Sequence, residues 1–436
     1  GLVGSEMCIR DRDMLSGSIR RFAEQFAFAD TYGSLMTVTA PADIDTAFSD
    51  FMPTIGLNMR QFDMMMKIYK ILSQKYDVVC TNPPYMGGSG MNAKLSEFVK
   101  SKFPDSKSDL FACFIEKCGQ LAKPHGFYAM ITQHAFMFLS SYENLRRKLM
   151  LKTTVNMAHL GARAFDEIGG EVVQTTAFVM TGHIKDYKGT YARLVDTVGE
   201  NEKRDLFLSG DKRFAAKQEN FSKIPGMPVA YWVSENFIRA FERGISIDSI
   251  SDFTGSQHIT ANNDKYLRLH WEIDANKVGM GKKWVYYAKG GDFRKWYGNI
   301  ELVVDWSEGA VQYYKTNSTS NLLAEKYRFK EGITYTELTS SVNTFRYLPP
   351  VCIFDKKGPS IVSVKKLWYC LGIFGTKIAP LYFAILNPTL STQVRDVKNL
   401  PIIVNGEIEP KIDEIVKENV CLLYTSPSPR DRSVSR

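Results

Sequence analysis

Two adjacent prolines set directly after a short apolar run constrain the folding of this chain more than any other feature. The run is Asp77-Val78-Val79-Cys80, and it continues as Thr81-Asn82-Pro83-Pro84-Tyr85-Met86-Gly87. Apolar residues in so short a run predict a buried strand over residues 77–80, and proline can extend neither strand nor helix. Gly87, Gly88 and Gly90 then predict a flexible exit loop. Open α/β sheets bind ligands in the crevice beyond the carboxyl ends of their strands. This sequence brings to that edge a side-chain amide, a carbonyl locked by proline and an aromatic face.

Those groups suit methyl transfer to an amino or amide nitrogen. The amino nitrogen of adenine is a poor nucleophile because its lone pair is delocalised into the ring. Two acceptors aimed at its protons, the Asn82 amide oxygen and the Pro83 carbonyl, favour the pyramidal form that can attack a methylsulfonium. Being fixed in advance, they need little reorganisation as charge develops. Tyr85 would stack on the planar target, which must leave the duplex to be reached, and Pro84 fixes the turn. The same tetrapeptide would serve methylation of a protein glutamine or an rRNA base. A turn with a surface tyrosine would serve no chemistry.

Around this stretch, apolar residues at helical spacing predict helices over residues 13–35 (Leu15, Ile19, Phe22, Phe26) and 59–75 (Phe62, Met65, Met66, Tyr69, Ile71, Leu72). A loop with a short helix is expected between them, over 41–56. Ser108 is the expected N-cap of a helix carrying Leu110, Phe111, Phe114, Ile115, Cys118 and Leu121. A second buried strand over 127–132 completes a strand–helix–strand unit, which should be parallel and right-handed. A helix over 141–150 and strands over 155–160 and 172–180, the last two joined by a loop with Gly169-Gly170, follow. The expected fold class is therefore α/β, the second half of a Rossmann-like, doubly wound methyltransferase sheet over residues 13–184. An α+β target-recognition region is expected over 185–420. Within it, 196–225 reads as a linker and 371–386 as one apolar helix.

That later region interleaves aromatics with bases, from Trp284 to Asn299 and again in Phe345-Arg346-Tyr347. Lys289, Arg294 and Lys295 could neutralise phosphates, while Trp296 and Tyr297 supply stacking faces for DNA. The blander alternative is a half-buried β-rich domain with solvated bases.

Composition narrows the class. At 436 residues, 44% hydrophobic and 23% charged, the chain is globular and long enough for two or three domains. No apolar run approaches the roughly 18 residues of a membrane span, and no signal peptide is visible, so a cytoplasmic protein without a membrane partner is expected. Seven cysteines without CxxC pairing argue against a disulfide framework and a zinc site, and no metal is expected. The net charge of +8 mildly favours a polyanionic partner. Without a Pro-Cys dipeptide, cysteine attack on a pyrimidine carbon is disfavoured. His134 could line the site but reads more simply as structural.

Both ends, residues 1–12 and 421–436, resemble translated adapter DNA, the rival for the tail being a disordered nucleic-acid-binding arm. Setting them aside lowers the charge to +6, since the first twelve residues are neutral and the last sixteen carry three Arg and one Asp. A strand running into a Gly-rich turn, the usual seat of a nucleotide-like cofactor, is missing. Gly88-Ser89-Gly90 comes after the proline-stopped strand, and Gly279-Met280-Gly281 has no strand before it. The cofactor half of the sheet is expected to precede residue 13, and the residues binding the methyl donor are unassigned.

Several segments carry a resemblance. They are Asp30-Thr31-Tyr32-Gly33-Ser34-Leu35, the stretch from Asp77 to Gly87, residues 130–140, residues 165–178, residues 289–298 and the region from Asn387-Pro388 to Leu400-Pro401. Together they resemble the PglX family, adenine-specific DNA methyltransferases of BREX phage-defence systems related to the type IIG methylases. The resemblance implies S-adenosylmethionine as donor, adenine N6 in double-stranded DNA as acceptor, and target recognition by the region after about residue 185. It also admits other phage-defence proteins as partners. Family members are longer, so independent activity of this stretch is not expected. A DNA-binding specificity module without catalysis remains the alternative from another class.

Overall fold

The computed structural model describes residues 20–40, 42, 44, 59–164, 173–253, 257–338, 343–387 and 392–425. The expected loop over 41–56, the Gly169-Gly170 turn, residues 1–12 and the tail beyond 425 fall wholly or mostly outside them. The chain forms two compact units, residues 1–222 with 226–232, and residues 223–225 with 233–436.

The first unit is built on six strands: β1 (Tyr76–Thr81), β2 (Ala122–Gln133), β3 (Thr153–Gly161), β4 (Thr175–Thr181), β5 (Lys188–Arg193) and β6 (Arg213–Lys217). Their order is β1-β2-β4-β3-β5-β6. Helix α1 (Met59–Ser73) precedes β1, and α2 (Ala93–Lys102) and α3 (Leu110–Leu121) connect β1 to β2. The two strands are parallel, as expected, with Thr81 opposite Met130. β4 runs antiparallel to both β2 and β3. Helix α4 (Glu143–Leu149) lies between β2 and β3, and α5 (Glu200–Ser209) between β5 and β6.

Alternation along β2 shows why the sheet has one packed face here. Tyr128, Met130 and Thr132 point inward and are buried, while Phe127 is 41% exposed. The inward set meets Phe111, Ile115 and Cys118 of α3, with Phe178 and Met180 of β4 in the same core. Burying each such large side chain contributes about 1.5–3 kcal/mol.

Four sequence expectations need correction. Among the described residues β1 is not buried: it stands at the edge of their sheet, and Val78 is 63% exposed, because α3 covers one face only. The cap of α3 is Asp109 rather than Ser108. Its backbone is extended and its side chain accepts from the Phe111 N–H, which starts the helix one residue later. The first unit does not end near residue 184, since β5, β6 and α5 extend the same sheet and take in most of the supposed linker. An outermost strand open to solvent has the polar composition of a linker, as β6 shows, with no fully buried residue. Finally, residues 371–386 are not one helix. Leu367–Phe374 and Ile378–Leu386 meet at a 78° bend, with Gly375 at the end of the first. A Cβ there would lie 2.3 Å from the Trp296 ring, so only glycine closes the turn against it.

The second unit holds two four-stranded sheets. One takes Trp284–Ala288 between Cys352–Phe354 and Leu302–Asp305, and the other contains Gly332–Tyr335 paired with Phe345–Leu348. Val285, Tyr287, Val304, Tyr314 and Ile353 fill a core between strand and helix. Among the described residues no single helix is long and apolar enough to cross a membrane.

Candidate active site

β1 stops at Thr81, one residue before Asn82 and two before the prolines. Asn82 and Pro84 are exposed, Pro83 is buried and Tyr85 is half-buried. The Tyr85 ring meets Phe111 edge-on at 6.1 Å, and burial together with the nearby Asp109 carboxylate raises its phenol above the usual value.

The exit loop is pinned rather than loose. Asp109 Oδ1 accepts from the Met86 N–H at 2.9 Å while also capping α3. The Leu110 N–H donates to the Met86 carbonyl, and the Gly88 N–H to that of Ser108. The glycines at 87, 88 and 90 all keep negative φ, so the loop takes its shape from this latch and not from glycine's freedom. The sequence pointed to Ser108, the residue before Asp109, as the cap of this helix. The role of Asp109 as a latch depends on tertiary approach, and no local spacing signals it.

On the other side of β1, Asn82 lines a cavity of about 710 Å³ with Cys80, Ala129, Ile131, Ala177, Val179 and Arg213 among its walls. Among the described residues, neither the Asn82 amide nor the Pro83 carbonyl takes a hydrogen bond from the protein. Two acceptors are thus left open, one of them, on Asn82, lining a space large enough for a nucleobase. Among the described residues, the cavity wall carries no carboxylate, and no Gly-rich turn follows a strand beside it. A sulfonium amino acid with a ribose would call for both, so these residues do not form a site for such a cofactor. Among the described residues no cluster of His, Cys, Asp or Glu could hold a metal ion.

The second strand ends in a built loop. The His134 N–H donates to the Gln174 carbonyl, and buried Arg146 donates to the carbonyls of Phe136 and Leu139. His134 Nδ1 lies 2.8 Å from His159 Nε2, whose other nitrogen is 3.1 Å from the Tyr231 hydroxyl. Desolvation lowers both imidazoles, His134 to about 4, so the pair is neutral at neutral pH.

The aromatic–basic stretch divides in two. Trp284 and Tyr287 are core residues of a buried strand. In the loop that follows, Lys295 is exposed, and Lys289 and Arg294 are half-buried. Trp296 packs on Gly375 beneath the Lys295 ammonium, and Tyr297 meets Tyr424 edge-on at 5.2 Å. In the second stretch Arg346 is fully buried and Tyr347 is stacked on Trp368, so Arg346 is not a surface phosphate ligand here.

Residues 33–162 match the family of Eco57I restriction-modification methylases. The chain is 34% identical over 425 residues to the adenine-specific methyltransferase PglX of Lacticaseibacillus casei (strain Zhang), covering 89% of this chain and 35% of that protein. It is 36% identical over 407 residues to the adenine-specific methyltransferase BrxX of Escherichia coli O9:H4 (strain HS), covering 88% and 33%. The chain therefore spans about a third of the length of these curated relatives. In three dimensions it is similar to the type IIL restriction-modification enzyme MmeI, solved with DNA, at a TM-score of 0.50 and 12% identity over 80% of this chain and 50% of that one. The likeness to the PglX methyltransferases expected from the sequence is borne out, and the α/β architecture is that of restriction-modification methyltransferases.

Proposed function

We propose that this chain, similar along most of its length to PglX and BrxX, carries the target-amine half of a DNA adenine-N6 methyltransferase active in phage defence. The observation that carries the reading is the pair of open acceptors at the end of β1, the Pro83 carbonyl and Asn82 Oδ1, the latter lining a cavity that would take a base. An adenine turned out of the duplex donates its two N6 protons to them. Both acceptors are held before the base arrives, Asn82 by the end of β1 and Pro83 by its ring and burial, so they meet the developing positive charge on nitrogen without rearranging. Pro84 fixes the turn and Tyr85 covers the face of the base. S-adenosylmethionine, held by residues other than those lining this cavity, would supply an electrophilic sulfonium methyl group. Lys289, Arg294 and Lys295 neutralise phosphates, and Trp296 and Tyr297 give their loop its shape.

Among the described residues the cavity wall carries no carboxylate, which favours one second reading, a specificity module that binds DNA without chemistry. Asn82→Ala in the full-length protein separates the two. Methyl transfer to DNA should fall below detection while DNA affinity stays within about twofold, since phosphate contacts dominate affinity. Transfer at the wild-type rate in that variant would refute the catalytic reading.

A further inference from the structure

His134, His159 and Tyr231 form a hydrogen-bonded chain that the chemistry above does not use. Its outer end lies at the carboxyl edge of β2, beside the edge of β1 that carries Asn82. The two strands are parallel neighbours with Thr81 opposite Met130, and adjacent strands lie about 4.8 Å apart. The loops that leave them are tied together, since Tyr85, Ala135, Phe136, Phe138 and Leu139 belong to one apolar cluster.

The chain also sets which nitrogen of His134 carries a proton. Toward a neutral imidazole a neutral phenol is the stronger donor, and burial keeps the Tyr231 phenol protonated. The phenol's own proton then goes to His159 Nδ1. His159 Nε2 in turn carries a proton and donates to His134 Nδ1, leaving His134 Nε2 as N–H. Here Nδ1 is engaged, and Nε2 meets no partner among the described residues. The ring cannot turn away readily, because its backbone N–H is bonded to Gln174 and Phe138 packs edge-on against it at 5.6 Å.

We propose that His134 is a target-nucleotide contact, its outward Nε2–H donating a hydrogen bond to an acceptor on the nucleotide whose amine Asn82 and Pro83 hold. The acceptor is a purine ring nitrogen or a backbone phosphate oxygen of that nucleotide. This inference rests on the methyltransferase reading above. His159 and Tyr231 are positioning residues, acting through His134.

The test uses the full-length protein and duplexes carrying a site that the wild-type protein methylates. His134→Ala should lower kcat/KM about tenfold, the value of one hydrogen bond, with an unchanged melting temperature. His134→Gln, which returns an N–H near the Nε2 position, should recover most of the loss. Tyr231→Phe, which leaves the tautomer unset, should fall between the two. Placing 7-deazaadenine or a methylphosphonate at the target should erase the difference between wild type and His134→Ala in one case only, and that case names the acceptor. Wild-type kcat/KM in His134→Ala, or a His134→Gln variant as slow as Ala, would overturn the proposal. Should His134→Ala fail to fold, His134→Gln and Tyr231→Phe against the two modified duplexes decide the matter, equal sensitivity to both modifications in every protein being the overturning result. Asn82→Ala run alongside keeps the two levels apart: its activity tests the methyltransferase reading, while loss in Asn82→Ala with wild-type His134 variants refutes only the contact.

Discussion

Removing the Asp109 carboxylate tests whether the candidate site is held from outside itself. Asp109 accepts from the Met86 and Phe111 N–H groups at 2.9 and 3.3 Å, so one side chain fixes both the exit of the Asn82-Pro83-Pro84-Tyr85 turn and the start of α3. Asp109→Ala deletes a helix cap and a loop hydrogen bond, together about 2–3 kcal/mol. In the full-length protein the melting transition of this unit should drop by about 4–8 °C. A loop freed to shift by about 1 Å should lower kcat by about a hundredfold, because the reacting nitrogen loses its aligned acceptors. Asp109→Asn is the informative partner. Burial raises the Asp109 carboxyl despite three backbone N–H groups that favour its ionised form. A group whose folded pKa is raised contributes stability at low pH that is lost as pH rises through its titration, so the charge is not what holds the latch. Asparagine keeps an acceptor oxygen and should retain most of both stability and activity. Calorimetry and transfer of labelled methyl groups to DNA read the two effects. Wild-type kcat in Asp109→Ala, or an Asn variant as damaged as Ala, would refute the argument.

Two further outcomes follow from buried polar groups. His134 and His159 titrate below the usual imidazole value in the fold, so between about pH 6.5 and 4 the unfolded chain binds protons that the folded one refuses. Stability should therefore fall with acidification, by about 2 kcal/mol for His134 between pH 7 and pH 5 and with His159 adding in the same direction, in chemical denaturation across that range. A flat profile would show that the imidazoles are solvated. Lys203 is buried and donates to the carbonyls of Leu160, Leu194 and Thr197 at 2.7–2.9 Å, so Lys203→Met should cost about 3 kcal/mol or more by stranding those acceptors. A change under 1 kcal/mol in urea denaturation, about the worth of a single hydrogen bond, would show that the lysine is not their anchor.

By itself, the sequence determined where the site begins. Prolines cannot continue a strand, so the position of Asn82 at a strand end followed from covalent constraint, and the parallel partner strand followed from local periodicity. The long segments resembling PglX pointed to that likeness for the same reason: they are local patterns that survive without contacts. Tertiary structure decided the rest. Only packing shows that β1 stands at the edge of the sheet of described residues with an open face, that Asp109 latches the turn, and that His134 is backed by residues 25 and 97 positions further along the chain. Burial likewise separated Arg346 from the surface bases around Lys295, although both sit among aromatics in sequence. The physical reason is common to all of these. Periodicity reports which residue types lie on one face, but not whether another element covers that face or which distant donor reaches it.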